Sequence, residues 1–411
     1  MRIVVVSSFF YPALEYGGPP RSLYEIFSRL VARGHDVSVF TTDVLDATQR
    51  YKPSADPEEI GGIVVHRFPN VSNWLAHRHL VFLAPAMRAA LQAQMAEFDL
   101  AFFHCFYNPQ NIWGCAAART SGVPFIIKPA GSLPPNNSPW RSLPKYLFRA
   151  LWGQGMTDGA ARFVAVSSGE RAEQIAWGVT PEKIEVINNG IDFSEVNSYG
   201  EQGCFRAKWG IPPDRPMVLT VGGLTPRKGG DLLLKAFAQQ DRDAVVVFAG
   251  PDYAGYGQHL RGMAESLGVS DRTIFTGMLK REEVLQADRD ADIFVLASRH
   301  EGHPNALIEA CAMGNSVIAS EACNTPEITK WDAGEVIPND DAAALAEALR
   351  RLLGSEELRR KQAHRSQEMV RGLFTWEKIV EKYEKCFAEV AGTADYVGGS
   401  VSRASVAEPA W

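Results

Sequence analysis

At 411 residues the chain is long enough for two large domains or three smaller ones, and its 46% hydrophobic and 22% charged residues exclude a largely disordered chain. The 42 Lys and Arg against 48 Asp and Glu leave a net charge of −6, so the overall electrostatics of a nucleic-acid binder are absent. Cys105, Cys115, Cys204, Cys311, Cys323 and Cys386 include no CxxC pair, which argues against a zinc or redox motif and for reduced thiols in a cytosol.

The opening apolar run, Ile3 to Val6, is too short for a signal peptide and predicts a first strand. No later apolar run reaches the ~18 residues that would span a bilayer. In the first half the β-branched runs predict strands at 2–7, 36–41, 62–68, 99–104, 123–128, 161–167 and 183–187, with helices between them at 20–32 and 108–120 among others. Strands at 217–222, 244–250, 272–276, 291–297 and 316–319 follow, alternating with helices near 229–239, 257–267, 281–289 and 304–313. Segments 341–353, 355–370 and 375–391 read as helices with no strand between them. Strands alternating with helices imply parallel sheets covered on both faces.

The pattern restarts near residue 216 after a polar, Gly- and Pro-containing stretch. The expected division is therefore a first Rossmann-like domain over 1–193, a linker over 194–215, a second such domain over 216–373, and a polar, Gly-rich flexible tail over 392–411. Two such domains would face each other across a cleft at the carboxyl ends of their strands, where open α/β sheets bind ligands.

Three stretches could carry chemistry. Tyr16-Gly17-Gly18-Pro19-Pro20 follows the first strand and opens a helix, so backbone amides there could meet a phosphate, although a Gly pair alone also reads as a plain turn. Gly222-Gly223-Leu224-Thr225-Pro226-Arg227-Lys228-Gly229-Gly230 places two adjacent cations at a strand-to-helix turn. Arg227 as a planar fork and Lys228 as a point charge suit a diphosphate; a solvated basic turn is the plainer reading. Ser298 to Ala310 carries Glu301 and Glu309 eight residues apart, about 12 Å if the whole span were helical. That is too far for a shared-bond acid/base dyad and suits the two ends of an elongated ligand. No GxGxxG or GxxxxGK[ST] stretch occurs.

Other signals read as structural. Asp288-Arg289-Asp290 is formally Asp-x-Asp but is expected to be solvated helix-end charge, and His77-Arg78-His79 a polar surface patch. His300 and His303 lack a third ligand nearby. From Leu100 to Thr157 there is no Asp or Glu, while Arg119, Lys128, Arg141, Lys145 and Arg149 are interleaved with aromatic residues. A helix at 140–152 could lie on an anionic membrane or receive a lipid-linked acceptor; a core-facing helix with snorkelling cations is the commoner arrangement.

Glu301 and Glu309 form a Glu-x7-Glu signature that resembles the retaining glycosyltransferases of family 4, which have the GT-B fold. Gly17-Gly18, His104 at the end of 99–104, Asn189-Gly190-Ile191-Asp192, Arg227 and Lys228, Gly314, and Pro326-Glu327 match further stations of that family in the same order over roughly residues 1–390. Ser316, Asn324 and Ala297-Ser298 depart from the usual proline, glycine and Pro-Ser.

The resemblance implies a metal-independent, retaining hexosyltransferase that takes a nucleotide-diphosphate sugar as co-substrate and needs no cofactor. Its first domain would bind a glycan or lipid-linked acceptor, its second the donor, and helix 374–391 would cross back onto the first. Glu309 would hold ribose hydroxyls and Glu301 sugar hydroxyls. Arg227 and Lys228 would neutralise the departing diphosphate. Gly18, Asn305, Ala306 and Leu307 would offer amides, and the turn around Leu279 would meet the base. His104 would sit beside the transferred sugar. The implied setting is polysaccharide or glycolipid assembly in the cytoplasm, at the inner face of the membrane if 140–152 docks there. A nucleotide-sugar epimerase of the same fold and a non-catalytic nucleotide-sugar binder are the competing readings; a dehydrogenase is disfavoured by the absent glycine fingerprint.

Overall fold

The computed structural model describes residues 1–46, 48–133, 139–198 and 202–392. The chain divides into two compact units, Met1–Asn188 with Trp376 onward, and Asn189–Thr375. Beyond residue 392 the expected flexible tail lies outside the described residues. Among those residues no helix is long and apolar enough to cross a membrane.

The first unit is built on an eight-stranded sheet: β1 (Arg2–Val6), β2 (Asp36–Thr42), β3 (Glu58–Ile60), β4 (Ile63–Phe68), β5 (Leu100–His104), β6 (Phe125–Lys128), β7 (Arg162–Ala165) and β8 (Ile184–Val186). Their spatial order is β3-β4-β2-β1-β5-β6-β7-β8. All pairings are parallel except β3 with β4. Ile3, Val4, Val5 and Val6 are all fully buried, as a strand covered on both faces requires. β3 was not anticipated, yet its signal is in the sequence. Gly61 and Gly62, both at positive φ, form the two-residue turn of a hairpin between Ile60 and Ile63.

The helix Trp376–Ala391 belongs to this first unit. Its Ile379, Val380, Tyr383 and Phe387 share a buried cluster with Ile3, Val5, Phe27 and Phe102.

The second unit carries six parallel strands: β9 (Met217–Val221), β10 (Val245–Ala249), β11 (Thr273–Gly277), β12 (Ile293–Leu296), β13 (Ser316–Ser320) and β14 (Gly334–Ile337), in the order β11-β10-β9-β12-β13-β14. This is the doubly wound dinucleotide-fold order, and it reverses between β9 and β12. The short edge strand β14 was not anticipated. It lies so close to β13 that a Cβ on Gly334 would stand 2.3 Å from the Val317 carbonyl oxygen.

The stretch 194–215, expected to be a linker, is part of the second unit. Its helix Cys204–Trp209 buries Phe205 in the same cluster as Leu219 and Phe294. Asp290 anchors it, accepting from the Gly203 amide at 2.6 Å and the Arg206 amide at 3.0 Å. Asp288 and Asp290, expected to be solvated, are 1% and 4% exposed. Their helix, Arg281–Asp290, packs against neighbouring elements on the side that carries these two carboxyls, while Arg289 between them stays partly exposed.

Candidate functional site

In an open α/β sheet the loops that leave the two strands flanking the order reversal splay apart and open a crevice. In the second unit these are the loops after β9 and β12, and they contain the residues singled out from the sequence. The Gly222–Gly229 loop ends in a tight turn, Pro226–Lys228. Gly229 follows at φ 69°, and a Cβ there would lie 1.9 Å from the Ala297 carbonyl oxygen at the end of β12. Only glycine permits that approach.

The turn is held from the second loop by Arg299. Its amide donates to the Arg227 carbonyl at 2.7 Å, and its guanidinium donates to the Pro226 carbonyl and grips both oxygens of Asp231 at 2.9 Å. Sequence reasoning missed Arg299 because an isolated arginine shows no partner until the chain folds.

Glu301 occupies the same crevice and is 7% exposed. Its Oε1 receives the Ser298 hydroxyl at 2.7 Å and stands 2.7 Å from Lys228 Nζ. Arg227 Nη1 is 3.8 Å from Oε2 and donates to the His300 carbonyl at 3.1 Å. Two cations and a carboxylate therefore form one charged group at the mouth of the β9 loop.

Asn324 stands where the resemblance usually has glycine. It adopts φ 55° and donates to the Glu301 carbonyl at 2.8 Å. An asparagine tolerates this left-handed position better than other side-chain-bearing residues, so the turn that backs Glu301 is kept.

The helix Asn305–Met313 begins after Glu301 and includes Glu309. The two glutamates are thus not on one helix, and the 12 Å helical spacing does not describe them. The amides of Leu307 and Ile308 already bond to the Pro304 carbonyl at 3.0 and 3.3 Å; those of Asn305 and Ala306 are the ones at the helix start. Glu309 Oε2 accepts from Arg281 Nη1 at 2.7 Å, a contact between residues 28 positions apart that no local pattern announces. The turn after β11 carries Met278, which is 80% exposed, and Leu279, which packs on the core.

In the first unit the order reversal falls at β1, between β2 and β5, and His104 ends β5. His104 is 1% exposed. Its Nδ1 lies 3.2 Å from Ser7 Oγ, whose own proton goes to the Phe9 carbonyl at 2.7 Å. Ser7 can then only accept, which places the imidazole proton on Nδ1 and leaves Nε2 with its lone pair. Nε2 has no hydrogen-bond partner among the described residues. Burial, and then the charge of Lys128, lower the His104 pKa to about 3, so the ring is neutral across the physiological range.

Lys128 is itself buried and donates to the Tyr383 hydroxyl at 3.0 Å; burial lowers its pKa to about 8. Gly17 precedes the helix Gly18–Ala32. Pro19 and Pro20 lack amide protons, so of its first four residues Gly18 and Arg21 are the donors.

The segment 140–152 departs from the core-facing expectation. Its described residues form the helix Pro139–Phe148 and a wider turn, Arg149–Gly153. Leu143, Tyr146, Leu147, Leu151 and Trp152 are between 46% and 66% exposed. Two of its cations turn inward instead: Lys145 donates to the Ser132 carbonyl at 2.8 Å, and Arg149 lies over the Trp177 ring. The patch at His77-Arg78-His79 is not purely polar either, because Trp74 and Leu80 on either side are 65% and 64% exposed.

Two family models match the chain, Glycosyltransferase Family 4 over residues 16–195 and Glycosyl transferases group 1 over 202–369. Among curated proteins, the D-inositol 3-phosphate glycosyltransferase of Mycolicibacterium smegmatis is 26% identical over 353 residues, covering 83% of this chain and 80% of that one. The protein of the same name from Thermomonospora curvata is 26% identical over 94% of both chains. Among solved structures, Anabaena HepE in complex with UDP superposes with a TM-score of 0.75 at 20% identity, covering 95% of this chain and 100% of that one. The sucrose-phosphate synthase of Thermosynechococcus elongatus gives 0.71 at 20% identity, over 95% and 99%.

Proposed function

As the chain belongs to glycosyltransferase family 4 and has the GT-B fold, we propose that it moves a sugar, with retention of anomeric configuration and without a metal, from a nucleotide-diphosphate sugar to a hydroxyl of a glycan or lipid-linked acceptor. The observation that carries this reading is the group formed by Arg227, Lys228 and Glu301 in the crevice after β9 and β12. A departing diphosphate needs cations fixed in advance, where it gathers charge. The anomeric C–O bond breaks and its electron pair goes to the β-phosphate oxygen. The acceptor oxygen bonds to the same face of the sugar, and its proton passes to that phosphate oxygen. No enzyme nucleophile takes part.

In this reading Arg227 and Lys228 bind the diphosphate, Glu301 orients sugar hydroxyls and Glu309 holds the ribose. The amides of Gly18, Asn305 and Ala306 contact phosphate or sugar, the backbone at Leu279 meets the base, and Nε2 of His104 accepts from a sugar hydroxyl. The similarity to D-inositol 3-phosphate glycosyltransferases favours a small polyol or its phosphate among the acceptors to try. The solvent-facing apolar stripe at 143–152 supports work at the inner face of a cytoplasmic membrane, on glycolipid or polysaccharide precursors.

The test is a thermal-shift panel of UDP, GDP and ADP sugars, since a ligand bound to the native state alone raises the midpoint, followed by transfer assays with and without chelator. NMR of the product must show the donor's anomeric configuration. Isomerised donor formed without any acceptor would instead establish the epimerase reading, and binding without turnover the non-catalytic one.

A further inference from the structure

We propose that Arg281 is a positioning residue that fixes the Glu309 carboxylate for the cis-diol of a ribonucleotide and so sets the preference for ribose over deoxyribose. This rests on the reading of Glu309 as the ribose-binding carboxylate.

Arg281 opens the helix Arg281–Asp290, directly after the Met278–Lys280 turn. Its guanidinium spans two carboxylates. Nε and Nη2 donate to the two oxygens of Glu195 at 3.0 and 3.1 Å, and Nη1 donates to Glu309 Oε2 at 2.7 Å. The fork on Glu195 leaves the guanidinium one orientation, and the remaining nitrogen then fixes Glu309. Lysine, a single point charge, cannot hold both. Burial opposes the charge on Arg281, but Glu309 and Glu195 outweigh it and raise its pKa.

A third carboxyl completes the arrangement. Asp288 is 1% exposed, and neither oxygen has a hydrogen-bond partner among the described residues. Burial first, and the Glu309 charge second, push its pKa well above the usual carboxylate range, so it stays neutral and does not compete for Arg281. Of the two carboxyls on these helices, the one in contact with Arg281 is Glu309. Its Oε1 accepts no hydrogen bond from the described residues, and Oε2 has lone-pair capacity left beyond Arg281. Two ribose hydroxyls need two such acceptor sites at fixed separation.

The test is equilibrium binding of UDP and 2′-deoxy-UDP, with the GDP and ADP pairs alongside so that the preferred base is covered, to the full chain and to Arg281→Met, Arg281→Lys, Glu195→Gln, Glu309→Gln and Arg281→Met/Glu309→Gln. The intact chain is expected to favour the ribo form by about tenfold or more. Arg281→Met and Glu309→Gln should each bring the ratio to about twofold, the double variant should lower it no further, and Arg281→Lys and Glu195→Gln should fall between. In turnover, Arg281→Met should raise the donor KM much more than it lowers kcat.

Should Arg281→Met fail to fold, Arg281→Lys and Glu195→Gln decide the matter by the same ratio. A wild-type ratio in the Arg281 variants, with loss in Glu309→Gln, overturns the proposal and leaves the ribose reading standing. A wild-type ratio in Glu309→Gln overturns the ribose reading itself.

Discussion

Lys228 Nζ and Glu301 Oε1 are 2.7 Å apart, the carboxylate being 8% and the ammonium 22% exposed at the side chain. The two therefore act as one group, and the position of either depends on the other. Lys228→Ala should lower kcat by about 10²-fold through lost stabilisation of the leaving group. Glu301→Ala should cost a comparable amount, and the double variant clearly less than the product of the two. Steady-state kinetics on the three variants checks this; strict multiplicativity would show that the residues work independently.

Gly229→Ala should be among the most damaging single-methyl changes in the second unit. The new Cβ would meet the Ala297 carbonyl at 1.9 Å with the backbone at φ 69°, so the Pro226–Lys228 turn must move. The expected signature is a lower Tm together with a weaker response to nucleotide sugars. Gly262→Ala, where nothing lies within 4 Å of the new methyl, should leave both unchanged.

His104 makes stability pH-dependent in a defined direction. Its folded pKa of about 3 lies below the ordinary value of 6.5, so the unfolded chain binds the proton more readily. Its contribution is complete above pH 6.5 and is lost as pH falls from 6.5 towards 3. Urea denaturation of the intact chain should lose stability over this window more steeply than that of His104→Asn. Equal slopes would show that the buried imidazole is not responsible.

The apolar stripe at 143–152 should bind bilayers. Leu151→Glu with Trp152→Glu, both at exposed sites, should abolish co-flotation with vesicles rich in anionic phospholipid while leaving Tm within about 1 °C, as expected for surface substitutions. Unchanged flotation of the double variant would remove this face from consideration.

Apolar runs and the glycine and proline turns between them made most of the parallel strands legible, because a strand buried on both faces must be apolar almost throughout. Two short edge strands escaped, β3 with three residues and β14 with a leading glycine, although β8, equally short and also at an edge, did not. For the candidate site, Arg227, Lys228, Glu301 and Glu309 stood out through their local pattern. Arg281, Arg299 and Asp290 did not, because their partners are 28, 41 and 84 positions or more away. A charge whose counterion is remote in the chain looks solvated. The exposed leucines and Trp152 were unreadable for a related reason: composition shows that a helix has an apolar side but not which way that side faces.

The helix 376–391 completes the core of the first unit only after the whole second unit has been threaded between its parts. A ribosome releasing residues 1–188 has therefore made an apolar floor around Ile3, Val5 and Phe102 whose cover is still almost two hundred codons away. During synthesis that surface needs a stand-in, and a 1–188 fragment expressed alone should be recovered as a soluble species only when a peptide spanning 376–391 is supplied in trans.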